Sequence, residues 1–155
     1  MGGETEKGEI SKLKQLADSS GVGSKVKFVG EVSTPLPFMI AADVFLLSSR
    51  EDPFPLVCLE AADCGVPIVC FAGAGGMADF VGSTCGGVAP YLDVPAMAHT
   101  LSSLLGDEMN TRRLGDQAKE KVRSQFDVSV KGHDIYKILQ SICAPNGSGF
   151  EANQV

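Results

Sequence analysis

Two short apolar runs constrain the fold of this chain more than any other feature of its sequence. Residues 44–47 and 67–71 contain no charged residue and do not alternate with polar ones, and a segment of helical character follows each run. A strand that is apolar on both sides is buried on both faces, which is typical of a parallel sheet covered by helices. The pattern predicts an α/β fold, a Rossmann-like parallel sheet with helices on both faces.

The spacing of apolar residues and the glycine and proline stops predict the remaining elements. Further strands are predicted at residues 25–29 and 87–89, and helices at residues 9–20, 35–42, 56–64, 77–81, 94–105, 110–124 and 128–142. Residues 1–144 are expected to form one domain, and the polar residues 145–155 a disordered tail. A sheet of this type normally opens with a strand before its first helix, so we expect the first strand to be missing here.

Charge and cysteine content exclude several classes of function. The chain of 155 residues carries 13 basic and 19 acidic side chains, a net charge of −6, which argues against a nucleic-acid-binding module. Its five cysteines are odd in number and form no C-x-x-C pair, so we expect buried, reduced thiols and no metal site. No signal peptide or membrane-spanning run is visible, and a cytoplasmic protein is expected.

Two carboxylates stand close together in the sequence after the first apolar run. Asp52 lies in the loop and Glu60 in the following predicted helix, which rises about 7–8 Å between residues 55 and 60. The N-terminus of a helix favours a phosphate, and a carboxylate further along can accept hydrogen bonds from two ribose hydroxyls. The spacing fits a nucleotide sugar. Taken singly, however, Asp52 could instead cap the helix and Glu60 could be a surface glutamate.

Residues 52–61 resemble the acid-x7-acid motif, E-G-F-G-L-x-x-L-E-A, of the group-one (family 4) retaining glycosyltransferases. Further similarities follow the family's order at residues 26–32, 42–49, 65–69 and 75–81, the last resembling its G-G-x-x-E-x-V pattern. About residues 10–142 are similar to the donor-binding C-terminal domain of that family. The resemblance therefore implies one half of the GT-B fold.

The resemblance also implies roles for individual residues. Asp52 takes the catalytic position next to the transferred sugar or its phosphate, and Glu60 takes the position that binds the ribose. Gly30, Glu31 and Val32 match the loop that borders the nucleobase. Further donor contacts are implied for Phe54, Leu56, Val57, Ser49 and Gly76.

The sequence departs from the family pattern at the sugar end of the motif. Asp52 is one methylene shorter than the usual glutamate, and Pro53 and Pro55 replace two glycines whose N–H groups could face a phosphate. Outside the motif, Gly75–Gly76 could be only a turn, and Asp79 only a surface acid or a helix cap.

The implied function is transfer of a sugar from a nucleotide-sugar donor, such as a UDP- or GDP-sugar, to an acceptor hydroxyl with retention. The resemblance implies no metal and no other cofactor. The acceptor-binding N-terminal domain of the same polypeptide would be the partner, membrane association would occur only through that half, and this chain alone is expected to be inactive. Two alternatives stay open: a GT-B nucleotide-sugar epimerase, and a non-catalytic α/β interaction domain.

Overall fold

The computed structural model describes residues 4–143, so the predicted tail at 145–155 lies outside the described residues. The chain divides into two compact units, Met1–Pro35 and Leu36–Val155. The first unit contains helix α1 (Glu4–Ser19) and a 3-10 turn at Gly23–Lys25. The predicted helix at residues 9–20 is confirmed and begins five residues earlier than expected.

The strand predicted at residues 25–29 is wrong. Lys25 closes the 3-10 turn, and residues 26–30 have no regular structure. A strand is stable only when its N–H and C=O groups pair with a neighbouring strand. The described part of Met1–Pro35 contains a helix, a short turn and irregular chain, and therefore no partner for such a strand.

The second unit contains a parallel sheet. In its described residues the strands are β1 (Phe45–Leu47), β2 (Ile68–Phe71) and β3 (Gly86–Ala89), in the order β1-β2-β3. All pairs are parallel, with Leu46 opposite Val69 and Cys70 opposite Val88. The predicted parallel sheet is confirmed.

Helices connect and cover these strands. They are α2 (Leu36–Ile40), α3 (Leu56–Asp63), α4 (Met77–Val81), α5 (Val94–Leu105), α6 (Glu108–Gln125) and α7 (Val128–Cys143). Each agrees with a predicted helix to within two residues at either end. Asp93 caps α5 by accepting a hydrogen bond from the N–H of Ala96 at 2.9 Å, as a residue at this position typically does.

Both faces of the sheet are buried, as predicted. On one face Ile68 and Cys70 pack with α3, α4 and the C-terminal half of α6, in a cluster that includes Cys58, Met77 and Phe80. On the other face the cluster is formed by β2, β3, α5 and α6, with the residues Val69, Phe71, Ala74, Ala89, Met97, Leu104 and Leu114. The alternate residues of β2 thus serve two separate cores, which explains why this strand is apolar throughout.

The expectation of a fully buried first strand is wrong for Leu46, which is 44% exposed. Within the described residues β1 pairs with β2 alone, and α5 packs over β2 and β3. Leu46 therefore lies at the sheet edge, beyond the cover of α5. A cavity of about 450 Å³ opens there, lined by Leu46, Ser48, Arg50, Phe71, Leu92, Val94, Met97, Ala98 and Leu101.

The cysteines are free thiols, as expected, and Cys58, Cys70 and Cys85 are buried. The expectation of burial is wrong for Cys64, which is half-buried, and for Cys143, which is exposed near the end of α7. Burial raises the pKa of the Cys58 thiol to about 12, with smaller contributions from Cys70 and from the Asp52 carboxylate. Burial also raises the pKa of Cys70 to about 11. Both groups are therefore neutral core residues near pH 7 and poor nucleophiles.

Candidate active site at the carboxyl edge of the sheet

Two loops leave the carboxyl ends of adjacent parallel strands, where ligands bind in open α/β sheets. We call residues 48–55, which follow β1, the acid loop, and residues 72–76, which follow β2, the glycine turn. The N–H of Asp52 donates to the carbonyl oxygen of Ala74 at 2.8 Å, and the N–H of Gly76 donates to that of Pro53 at 2.8 Å. These two hydrogen bonds join the loops into one surface.

The close approach of the two loops requires glycine at the end of the turn. Gly75 has φ +150°, and a Cβ there would overlap with the carbonyl oxygen of Asp52. A Cβ on Gly76 would lie 3.1 Å from Cδ2 of Phe54. Gly75–Gly76 thus forms a turn, which was one of the two interpretations of the sequence. Because these residues have no side chains, the turn can pack directly against the acid loop. Contact between Gly76 and a donor stays a prediction.

Asp52 is not a helix cap. The N-cap position of α3 is occupied by Pro55, three residues later, and no side chain caps that helix. The half-buried Asp52 carboxylate forms no hydrogen bond or ion pair with another residue of the described chain. Its negative charge contributes to the raised pKa of the Cys58 thiol, which places it near the first turns of α3. The carboxylate is therefore available to a ligand.

Glu60 lies in the middle of α3, on its exposed side. Leu56, one turn earlier on the same side, is 70% exposed, whereas Cys58, Ala61 and Ala62 on the opposite side are completely buried. Like that of Asp52, the side-chain carboxylate of Glu60 has no hydrogen-bond or ion-pair partner within residues 4–143. The position suits both a surface glutamate and a ribose-binding one, so its role stays a prediction.

The N-terminus of α3 has unsatisfied donors. The N–H groups of Leu56 and Val57 open the helix and have no acceptor one turn back, and Pro53 and Pro55 have no N–H at all. The half-buried side chain of Val57 packs against the core, and contact between Val57 or Leu56 and a donor stays a prediction. Two N–H groups and the positive end of the helix dipole thus lie at this end of α3.

Phe54 of the acid loop packs against the protein interior. Its ring stacks on Phe126, with ring centroids 5.6 Å apart and an interplanar angle of 15°, and it packs against the core that includes Phe80. The half-buried ring is thus one contact of the protein interior, and contact between Phe54 and a donor stays a prediction. Sequence reasoning missed Phe126, although an apolar aromatic residue between two predicted helices was a signal for it.

The remaining site residues stay predictions. Ser49 is half-buried in the acid loop, and Asp79 lies in the first turn of α4 without acting as its N-cap. Gly30, Glu31 and Val32 belong to the unit Met1–Pro35, where they are exposed and Gly30 has φ +72°.

Neither a metal centre nor a membrane span is found in the part of the chain that the structure describes. Residues 4–143 contain no group of three or more His, Cys, Asp or Glu side chains that could hold a metal ion. None of the described helices is long and apolar enough to cross a membrane. Transfer without a metal stays a prediction.

Comparison with known proteins identifies the family. The family described as "Glycosyl transferases group 1" matches residues 1–121 of the chain. The chain belongs to the group 1 glycosyl transferases. The resemblance inferred from the five sequence segments is confirmed, and the acid loop and glycine turn of this glycosyltransferase domain lie within the matched region.

Relatives of this glycosyltransferase domain are known in sequence and structure. N-acetyl-alpha-D-glucosaminyl L-malate synthase of Bacillus anthracis is 32% identical over 120 residues, covering 76% of this chain and 31% of that protein. Sucrose-phosphate synthase from Thermosynechococcus elongatus has a TM-score of 0.77 and 26% identity, over 88% of this chain and 35% of the other. The Anabaena protein HepE, solved with UDP-glucose, has a TM-score of 0.76 and 27% identity, over 88% and 38%.

These structural matches confirm the fold class, a Rossmann-like α/β domain of the GT-B type. The chain spans about a third of the length of each of these three proteins.

Proposed function

We propose that this domain binds the nucleotide-sugar donor in a retaining glycosyltransferase of family 4 type, which transfers a hexosyl group to an acceptor hydroxyl. The observation that carries the proposal is the arrangement around α3. The N-terminus of this helix, which no side chain caps, lies at the carboxyl edge of a parallel sheet. The Asp52 carboxylate precedes it and the Glu60 carboxylate follows it, and neither has a hydrogen-bond or ion-pair partner within the described residues.

The donor diphosphate would lie at the N-terminus of α3. The N–H groups of Leu56 and Val57 would donate to phosphate oxygens, and the helix dipole, equivalent to about half a positive charge, would stabilise the negative charge that develops on the leaving phosphate. Glu60, on the exposed side, would accept hydrogen bonds from the ribose hydroxyls. Asp52 would face the transferred sugar from the acid loop. The hydrogen bond from the Asp52 N–H to the carbonyl oxygen of Ala74 holds this loop against the glycine turn.

The donor class proposed is a UDP- or GDP-sugar. The binding of UDP-glucose by the similar protein HepE supports a nucleoside diphosphate sugar. The exposed loop with Gly30, Glu31 and Val32 would border the base, as the resemblance implies. The position of Asp52, one methylene short of the family's glutamate, leaves additional room beside the sugar.

The proposed partner is an acceptor-binding domain in the same polypeptide. Relatives roughly three times as long as this chain support a protein with a further domain. We place that protein in the cytoplasm, and the free thiols of Cys58, Cys64, Cys70, Cys85 and Cys143 support a reducing compartment. The residues described here would supply donor binding, and the further domain would supply the acceptor.

The proposal is tested by ligand-dependent thermal stability of the complete polypeptide with a panel of UDP- and GDP-sugars. A donor at 100 times its Kd should stabilise the wild type by about 2.7 kcal/mol. Glu60→Gln keeps the size of the side chain but removes its charge, and should lose most of this shift. Glu120→Gln, at an exposed glutamate in α6, is the matched control and should keep it.

Two results would contradict the proposal. If no nucleotide sugar shifts the melting temperature, the domain is not a donor site and the interaction-domain alternative gains support. If a donor shifts both variants equally, Glu60 has no part in binding. Product analysis with donor alone separates transfer from epimerisation, because an epimerase converts the donor without any acceptor.

A further inference from the structure

Three phenylalanine rings lie together behind the acid loop and the glycine turn. Phe126, at the C-cap of α6, stacks on Phe54 of the acid loop with centroids 5.6 Å apart and an interplanar angle of 15°. The same ring meets Phe80 of α4 edge-on, with centroids 5.3 Å apart and an angle of 80°. Both are preferred geometries for aromatic pairs. Phe126 is therefore the central ring of the three. It contacts Phe54, which belongs to the acid loop, and Phe80, which belongs to the helix that follows the glycine turn.

The central ring has a fixed backbone. The N–H of Phe126 donates to the carbonyl oxygen of Val122 at 2.8 Å, which holds it to the last turn of α6. The next residue, Asp127, accepts a 2.8 Å hydrogen bond from the N–H of Ser129 at the start of α7. Phe126 is thus held between two helices and cannot follow a displacement of Phe54 without moving them.

A second contact from α6 holds the Phe80 side. Lys121 donates from Nζ to the carbonyl oxygen of Phe80 at 2.6 Å, and its ammonium group lies 5.0 Å from the centroid of the Phe80 ring. The contact combines a charge-assisted hydrogen bond with a cation–π interaction. Consequently α6 contacts α4 through Lys121 and the acid loop through Phe126.

The rings connect directly to the two hydrogen bonds that shape the site. Phe54 is two residues after Asp52, and the prolines on either side of Phe54 restrict the backbone that joins them. On the other side α4 begins immediately after Gly76, whose N–H donates to Pro53. Displacement of the Phe54 ring or of the Phe80 ring would therefore strain these backbone hydrogen bonds, which join Asp52 to Ala74 and Gly76 to Pro53.

We propose that Phe126 is a positioning residue, which acts through Phe54 to hold the backbone of Asp52 in the geometry required for sugar transfer. This inference rests on the proposed function for the role of Asp52. Asp52 contacts the sugar, and Phe126 contacts neither donor nor acceptor. Loss of the ring would misplace the Asp52 carboxylate, which slows transfer, and would leave the nucleotide contacts of α3 in place.

The test compares three variants of the complete polypeptide with the wild type. Phe126→Leu keeps the site apolar but removes the stacked ring, and Phe126→Tyr restores a ring. Leu114→Ala, in the same helix but in the other core cluster, is the control for a general loss of stability. The first readout is amide hydrogen exchange at Asp52 and Gly76, compared with exchange at Phe71 in β2. The second is kcat and the donor KM.

The expected results separate the ring from general stability. Phe126→Leu should speed exchange at both site amides by about tenfold relative to Phe71, because the loops open locally. It should lower kcat by about tenfold or more with a donor KM within about threefold of the wild type. Phe126→Tyr, which keeps an aromatic ring, should leave both the exchange ratio and kcat close to those of the wild type. Leu114→Ala should lower the melting temperature and leave kcat and the exchange ratio unchanged.

Each contrary outcome is decisive. Site amides as protected in Phe126→Leu as in the wild type would show that the ring does not hold the loops. Faster exchange with unchanged kcat would show that the held geometry does not matter for transfer. If Phe126→Leu does not fold, Phe54→Leu removes the other ring of the same stack, with faster exchange expected at Asp52 and unchanged exchange refuting the inference. A wild type without transferase activity would refute the proposed function, and the amide exchange would still decide whether Phe126 holds the loops.

Discussion

Replacing Asp52 by asparagine separates a chemical role of the carboxylate from a structural one. The substitution keeps the size of the side chain and the backbone hydrogen bond to Ala74, and it removes one negative charge. In the described structure this carboxylate has no hydrogen-bond or ion-pair partner and does not cap α3. The free energy of unfolding should therefore change by less than about 0.5 kcal/mol.

The effect on catalysis should be much larger. A charge-assisted hydrogen bond to the sugar or its phosphate contributes about 1.5–3 kcal/mol when water is excluded. If the carboxylate makes one such bond in the transition state, kcat/KM for sugar transfer should fall about ten- to 150-fold. The affinity for the bare nucleoside diphosphate should change by less than about 0.5 kcal/mol, because the lost charge faces the sugar.

The assay combines steady-state transfer kinetics, nucleotide titration calorimetry and thermal denaturation of the complete polypeptide. Asp116→Asn, at an exposed aspartate of α6, is the matched control and should behave as the wild type in all three. The reasoning is refuted if Asp52→Asn loses stability while turnover stays normal, since that result assigns the carboxylate to the fold. It is also refuted if nucleotide affinity falls as much as kcat/KM.

Two further predictions concern the stability of the domain. Gly75→Ala should destabilise the domain by about 1–3 kcal/mol in chemical denaturation, because the added Cβ overlaps with the carbonyl oxygen of Asp52, whereas Gly132→Ala, where a Cβ meets nothing within 4 Å, should not destabilise it. The hydrogen bond from Arg123 lowers the pKa of the Asp63 carboxyl, so this pair stabilises the fold above the unfolded pKa of about 4 and loses its effect as the pH falls through the lower folded value. Because both side chains are largely exposed, Asp63→Asn should flatten the acid limb of a curve of unfolding free energy against pH only slightly. High salt should abolish the difference between this variant and the wild type. A large difference in unfolding free energy at neutral pH and high salt would contradict this prediction.

Local sequence determined the helices and the buried strands. The helix predicted at residues 94–105 matches α5 at both ends, because Asp93 supplies the cap and Pro95 suits the first turn. Helical hydrogen bonds join residues four apart, so the information lies within one segment. The solid apolar run of β2 likewise predicted burial on two faces, which the two core clusters confirm. The five motif segments in order were sufficient to identify the family.

Only the tertiary structure decided which segments pair and which side chains meet. Residues 25–29 have strand-like composition but no partner strand within the described part of Met1–Pro35, and Leu46 is apolar but lies beyond the cover of α5. The docking of Gly75 on Asp52 and the stack of Phe54 on Phe126 join parts of the chain that are far apart in sequence. Such contacts depend on how separate elements pack against each other, and no local periodicity encodes that arrangement.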